Sequence, residues 1–211
     1  MNLSEMRTRV RRDLHDEDPA NERWTDDELD RHIERAVREL SLAISLEAKA
    51  VLATSEGSRD ISLASLSDLV AVEAVEYPID NYPPSYVPFS LWADTLTLLV
   101  NDTPPGDESV NIYYGKMHTL DATTSTIPLQ LEELVATGAA AYAALEWASF
   151  ATNRVNVGGQ DVWRQYLAWG QERLAAFSRA LAKHSRRNAV RVRRLYTPAT
   201  QPVDQSTVWQ S

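Results

Sequence analysis

The sequence predicts an α+β fold: helices at both ends, a small antiparallel sheet between them and an extended C-terminal arm. Three observations carry this. Apolar residues recur at three- and four-residue spacing near both ends of the folded part. Between residues 51 and 120 the period shifts toward two, in short runs separated by Pro, Gly, Asn and Asp. From Arg179 to Arg194 there are seven Lys/Arg and no acid, and the chain then becomes polar and proline-punctuated.

A first helix is expected over 3–14, where Leu3, Met6, Val10 and Leu14 form one narrow stripe. His15-Asp16-Glu17-Asp18-Pro19 ends it, because proline disfavours helix at the residue before it. Thr25-Asp26-Asp27-Glu28 reads as a capping box, with Asp26 and Asp27 suited to the positive end of the dipole. Leu29, Ile33, Val37, Leu40 and Ile44 then extend a second helix over 26–46.

The β-rich insertion is expected over 51–120. Asp60–Leu63 and Leu69–Tyr77 read as strands, the second with imperfect alternation. Tyr77–Pro88 holds four prolines and three tyrosines and is expected to be an ordered loop without ladder bonds. Phe89–Trp92 and Thr95–Val100 flank Ala93-Asp94 at hairpin spacing, and Asn101–Ser109 is a turn. Val110–Tyr114 is the last strand, completing one small sheet.

Ser125-Thr126-Ile127-Pro128 starts a third helix over 128–151, with proline placed where its missing amide does no harm. Its Gly138–Ala144 stretch is almost all small, so another helix can approach closely and this helix should be central. Asn153–Gly159 reads as a loop, and a last helix runs over 160–184. Residues 1–185 thus form one body and 186–211 the arm.

The 211 residues contain no cysteine, which excludes disulfides, thiol nucleophiles and thiolate metal sites. Met1–Asp13 is arginine-rich without an apolar stretch and does not read as a signal peptide. No segment has the roughly 18 apolar residues a membrane span needs, so no membrane partner is expected. Residues 1–178 hold 14 Lys/Arg against 29 Asp/Glu, a charge of −15; the remainder is +6. That balance argues against a whole surface that wraps nucleic acid.

Candidate chemistry is sparse. Glu28 and His32 stand four apart on one helix face and read as a surface pair rather than a zinc motif, which needs two histidines. His118 with Asp121 and the hydroxyls Thr119, Thr123, Thr124 and Ser125 could be assembled into a triad, but a turn and cap cluster suits them better. Gly158-Gly159-Gln160 lacks the lysine of a phosphate loop and reads as a helix–helix turn. The carboxylates Asp16, Glu17, Asp18, Asp26, Asp27, Glu28, Asp30, Glu132 and Glu133 sit at helix starts, where the dipole accounts for them without metal. No catalytic residue, metal or cofactor is expected.

The arm is different. Val190, Val192 and Leu195 alternate with Arg191, Arg193 and Arg194, which suits an extended segment laid along a partner with its arginines toward acids. The expected docking residues are Arg186, Arg187, Arg191, Val192, Arg193, Arg194, Leu195, Tyr196 and Trp209. A rival reading takes the basic tail as the grip of a DNA-binding or regulatory module; another builds a hydrolase around His118.

Several stretches together resemble tailed-bacteriophage head-to-tail connector proteins, also called head completion or adaptor proteins. They are Arg23–Leu29 with the helix ending Arg38-Glu39-Leu40-Ser41, then Val75-Glu76-Tyr77-Pro78, Val110–Tyr114, Lys116–Leu120, Ser125–Pro128 and Gly138–Tyr142. The resemblance covers about residues 3–185. It implies a helical bundle with a β-rich insertion and a structural, non-enzymatic role. It also implies a homo-oligomeric ring, typically of twelve subunits, in the virion neck under the portal protein. The arm would reach the portal, a downstream tail or neck protein would bind below, and genomic DNA would pass through without sequence-specific contact. An acidic wall would let that duplex slide.

Overall fold

The computed structural model describes residues 1–151 and 161–185. Four helices form one module and seven strands another. α1 (Leu3–Leu14) and α2 (Asp26–Ala43) lead into the strands, and α3 (Leu129–Ala151) and α4 (Val162–His184) follow them. Both early helices begin with a capping box, Asn2 with Glu5 and the expected Thr25 with Glu28. His15 closes α1 in the left-handed region, its amide bonding back to Arg11 and Arg12.

α3 is apolar on all sides, and such a helix belongs at the centre. Ala136, Ala139, Ala140, Ala143 and Ala144 are fully buried, and α1, α2 and α4 all pack on it. A Cβ added at Gly138 would stand 2.9 Å from the Phe177 ring of α4, and one at Gly170 would stand 3.0 Å from Leu145. The two glycines therefore set how closely α3 and α4 approach.

The strands form two sheets rather than the expected one. β1 (Leu46–Ala53), β7 (Ser109–Lys116), β3 (Leu69–Glu76) and β4 (Tyr86–Val87) make the first, in that order. β2 (Asp60–Ser62), β6 (Thr95–Leu98) and β5 (Phe89–Trp92) make the second. Ile61, Leu63, Val75, Leu96, Leu98, Val110 and Ile112 form one core between them. The expected hairpin turns at Ala93-Asp94. The imperfect alternation of 69–76 has a physical counterpart in register shifts between Leu69 and Ala71 and between Val72 and Ala74.

Two boundaries differ from expectation. α2 stops at Ala43, and Leu46, expected to be helical, opens β1, so the insertion starts before residue 51. The sequence Leu46–Ala53 is rich in helix formers, but all eight residues pair with β7, from Leu46 opposite Lys116 to Ala53 opposite Ser109. Tertiary pairing overrides a weak local preference. The Tyr77–Pro88 segment is not free of ladder bonds: Tyr86 and Val87 pair with Glu76 and Val75, and the Tyr77 amide donates to Ser85. This pairing is at the sheet edge, where neighbouring prolines are tolerated.

The module boundary is tied by one side chain. The chain enters the sandwich after Ile44 and leaves it through Met117. His118 Nε2 lies 3.0 Å from the Ile44 carbonyl oxygen, and Nδ1 lies 3.1 Å from that of Thr126 and 3.3 Å from its hydroxyl. The His118 amide donates to Ser41 Oγ at 2.9 Å. Burial pushes the imidazole below its ordinary pKa, against the opposing pull of the Ile44 and Thr126 carbonyls.

Two predictions follow from this packing. Gly138→Val should destabilise the protein by about 1–3 kcal/mol, measured by urea denaturation. Because the folded His118 resists protonation, its contribution to stability is complete above about pH 6.5 and declines as pH falls below it. Urea midpoints taken from about pH 8 to pH 5 should therefore fall on the acid side, and His118→Gln should flatten that slope.

Candidate interaction surfaces

The charges are distributed unequally between the modules. In the helical module, residues 1–45 and 121–185, thirteen Lys/Arg stand against eighteen Asp/Glu, a charge of −5, and several of the acids are paired internally. Arg11 bonds Asp16 and Asp26, each at 2.9 Å. Arg7 bonds Asp26 at 2.7 Å and Asp30 at 2.6 Å. The terminal amine bonds buried Glu132 at 2.6 Å, and Arg31 bonds Glu146 at 2.5 Å. Asp26 is held below the usual carboxylate range, chiefly by the Arg11 hydrogen bond. Asp16 is buried outside any helix start and also accepts the Arg23 amide at 2.8 Å, so an ion pair and not the dipole accounts for it.

The sandwich is more acidic. Residues 46–120 hold three Lys/Arg against eleven Asp/Glu, a charge of −8, against −5 for the helical module and +4 for 186–211. Glu47 aside, none of its acids forms an ion pair with another described residue. Glu56, Asp68, Asp80, Asp94, Asp102 and Asp107 are exposed on its turns. Glu76 is a structural exception: buried, it accepts from Asn111 at 2.9 Å and Tyr113 at 2.7 Å, and these bonds lower its pKa.

The Glu28–His32 pair does not exist as a surface feature. Glu28 turns back to its Thr25 cap, while His32 is buried against α3 with Glu146 2.7 Å from Nε2, out of line for a hydrogen bond. Burial lowers the His32 pKa despite that carboxylate. His32 stood on the buried side of the helix because Leu29, Ile33 and Ala36 surround it there.

The residues around His118 do not assemble into a triad. Both ring nitrogens face the Ile44 and Thr126 oxygens, and Asp121 accepts from the amides and hydroxyls of Thr123 and Thr124, which hold its pKa far below the usual range. Ser125 Oγ accepts from the Ile127 amide. These are the turn and cap contacts the sequence suggested. Among the described residues no three His, Asp or Glu converge as a metal site, and no helix is long and apolar enough to cross a membrane.

Two apolar features had no sequence signal. Trp24, Trp147 and Tyr166 cluster at the end of the bundle away from the sandwich, with ring centroids 5.8–6.5 Å apart. Arg23 lies over Trp147 and Tyr166 and bonds the Tyr166 hydroxyl. Beside them a mostly apolar cleft of about 360 Å³ is lined by Asp13, Leu14, His15, Arg23, Gln165 and Trp169, among others. On the sandwich, Trp92 at the hairpin tip is 86% exposed and Leu91 is 45% exposed.

The expected docking residues Arg186 to Trp209 and the Gly158–Gln160 turn lie outside the described residues; Arg179 and Lys183 stand exposed on the last turns of α4. The comparisons with known proteins add the following. A family model described as SU10 adaptor protein matches residues 1–201. No curated protein matches. The chain is similar to one in the neck of an empty GTA particle computed with C6 symmetry, at 16% identity and a TM-score of 0.31, over 80% of this chain and 88% of that one.

The Arg11–Asp16 pair generates a prediction. Asp16→Ala leaves the Arg11 guanidinium and the Arg23 and Trp24 amides without their buried acceptor. It should cost about 2–4 kcal/mol in chemical denaturation, whereas Asp94→Ala should be near neutral.

Proposed function

The chain belongs to the SU10 adaptor protein family, and on that premise we propose that it is a structural head-to-tail adaptor of a phage-like virion. Subunits form a ring, typically of twelve, that docks on the portal, extends the DNA channel and offers the attachment site for tail proteins. The role needs no catalytic residue and no cofactor. The working units are the body, residues 1–185, and the arm, residues 186–211.

The observation that carries the reading, beyond family membership, is the charge partition. A structural connector around DNA must hold its own shape without gripping phosphates. The helical module pairs several of its acids with internal arginines and keeps a charge of −5. The sandwich has a charge of −8, with Glu56, Asp68, Asp80, Asp94, Asp102 and Asp107 exposed on its turns, and repels a duplex. The arm carries five arginines and one acid over 186–211, the opposite sign, and supplies the contact to an acidic partner. Arginines suit that task because the guanidinium pairs bidentately with carboxylates.

The test removes the arm. A protein lacking Arg187–Ser211 should keep its circular dichroism and thermal midpoint and lose co-sedimentation with the portal. Normal co-assembly of the truncated protein would remove the docking role. A salt-sensitive shift of duplex DNA by the full chain, lost on truncation, would favour the nucleic-acid reading instead.

A further inference from the structure

We propose that the Trp92 hairpin of one copy inserts into the aromatic cleft beside Arg23 of the next copy, and that this is a subunit contact of the ring. The inference rests on the ring-forming reading above and adds the two patches that meet.

The hairpin has the features of an anchor. Trp92 is the largest side chain type and is 86% exposed, beside half-exposed Leu91. Leu91 and Trp92 are successive residues of β5 and face opposite sides of it; an exposed leucine needs no explanation, but a tryptophan 86% exposed at a hairpin tip does. Ala93, next in the chain, has φ 50°, the left-handed region that disfavours residues with a Cβ. The turn therefore keeps a strained geometry that presents Trp92 and Asp94. Interface anchors are enriched in tryptophan seated in a desolvated pocket.

The cleft has the features of the socket. Its volume of about 360 Å³ lies at the small end of the roughly 300–1,000 Å³ that bind organic groups, which suits one aromatic side chain. Leu14, Tyr166 and Trp169 provide apolar and aromatic walls; Arg23 and His15 stand on the rim, with Asp13 the acid there. Asp94, exposed and without an ion-pair partner among the described residues, would meet Arg23 when Trp92 enters.

The contact has to be between copies. The cleft lies where the loop before α2 meets the start of α4, and the sandwich is joined at the other end of α2, by Ser41 and Ile44 to His118. The 18 residues of α2 span about 27 Å at 1.5 Å each. Two different patches on one chain make a heterologous contact, the kind that builds a ring.

The absence of cysteine makes the test direct. Asp94→Cys and Gln165→Cys, placed in separate preparations and mixed under oxidation at high concentration, should form a 94–165 disulfide dimer. Trp92→Ala should abolish that cross-link and weaken self-association in sedimentation about thirtyfold, the size of an anchor truncation, with unchanged thermal unfolding. Gln165→Trp, which fills the cleft, should do the same. Mixed together, Trp92→Ala and Gln165→Trp should give dimers and nothing larger, since one intact hairpin then meets one intact cleft. Absence of the cross-link, or wild-type assembly by Trp92→Ala, overturns the proposal. If rings on the portal still form in that case, the adaptor reading survives; if the wild-type protein fails to associate with portal, that reading fails whatever the cross-link shows.

Discussion

The structure depends on the closure made by His118. Inserting some seventy residues between two helices opens a long loop, and its ends must be held together. One buried imidazole does so, facing the last turn of α2 through Ile44, while its own amide takes the Ser41 hydroxyl. Thr126, just before α3, faces the other ring nitrogen and also binds the Thr119 amide at 2.8 Å. These bonds tie the end of α2 to the start of α3 across the insertion.

On the helical side, close packing comes from the lack of side chains. α3 packs alanines and Gly138 against three neighbours, and each neighbour supplies the larger group: Phe177 from α4, Leu40 and Ile33 from α2, Met6 and Val10 from α1. The cost of such a helix is that its surface gives little guidance about orientation. The ion pairs outside it supply the guidance. Arg7 and Arg11 lock α1 to the start of α2, and Arg31 with Glu146 locks α2 to the end of α3.

These two kinds of packing leave the modules with different surfaces. Arginines engaged in internal pairs offset part of the bundle's acidity and leave it a charge of −5. The sandwich core is closed by apolar strands, and the acids on its turns stay exposed to act at a distance.

Much of this was legible in the chain. The stripes of α1 and α2, the Thr25 capping box, the hairpin at Ala93-Asp94 and the central small-residue helix all follow from local chemistry, and each stands where its residues put it. The charge of 46–120 could also have been read by counting within the insertion. Other features could not. β1 is a strand only because β7 lies beside it, since Leu46–Ala53 by itself prefers helix. His32 is buried only because α3 covers it. The cleft exists because Leu14, Arg23 and Trp169 meet across 155 residues of sequence. Capping, periodicity and turn chemistry act over a few residues and are written in the chain; pairing, burial and cavity shape belong to residues distant in sequence, and only the folded chain brings them together.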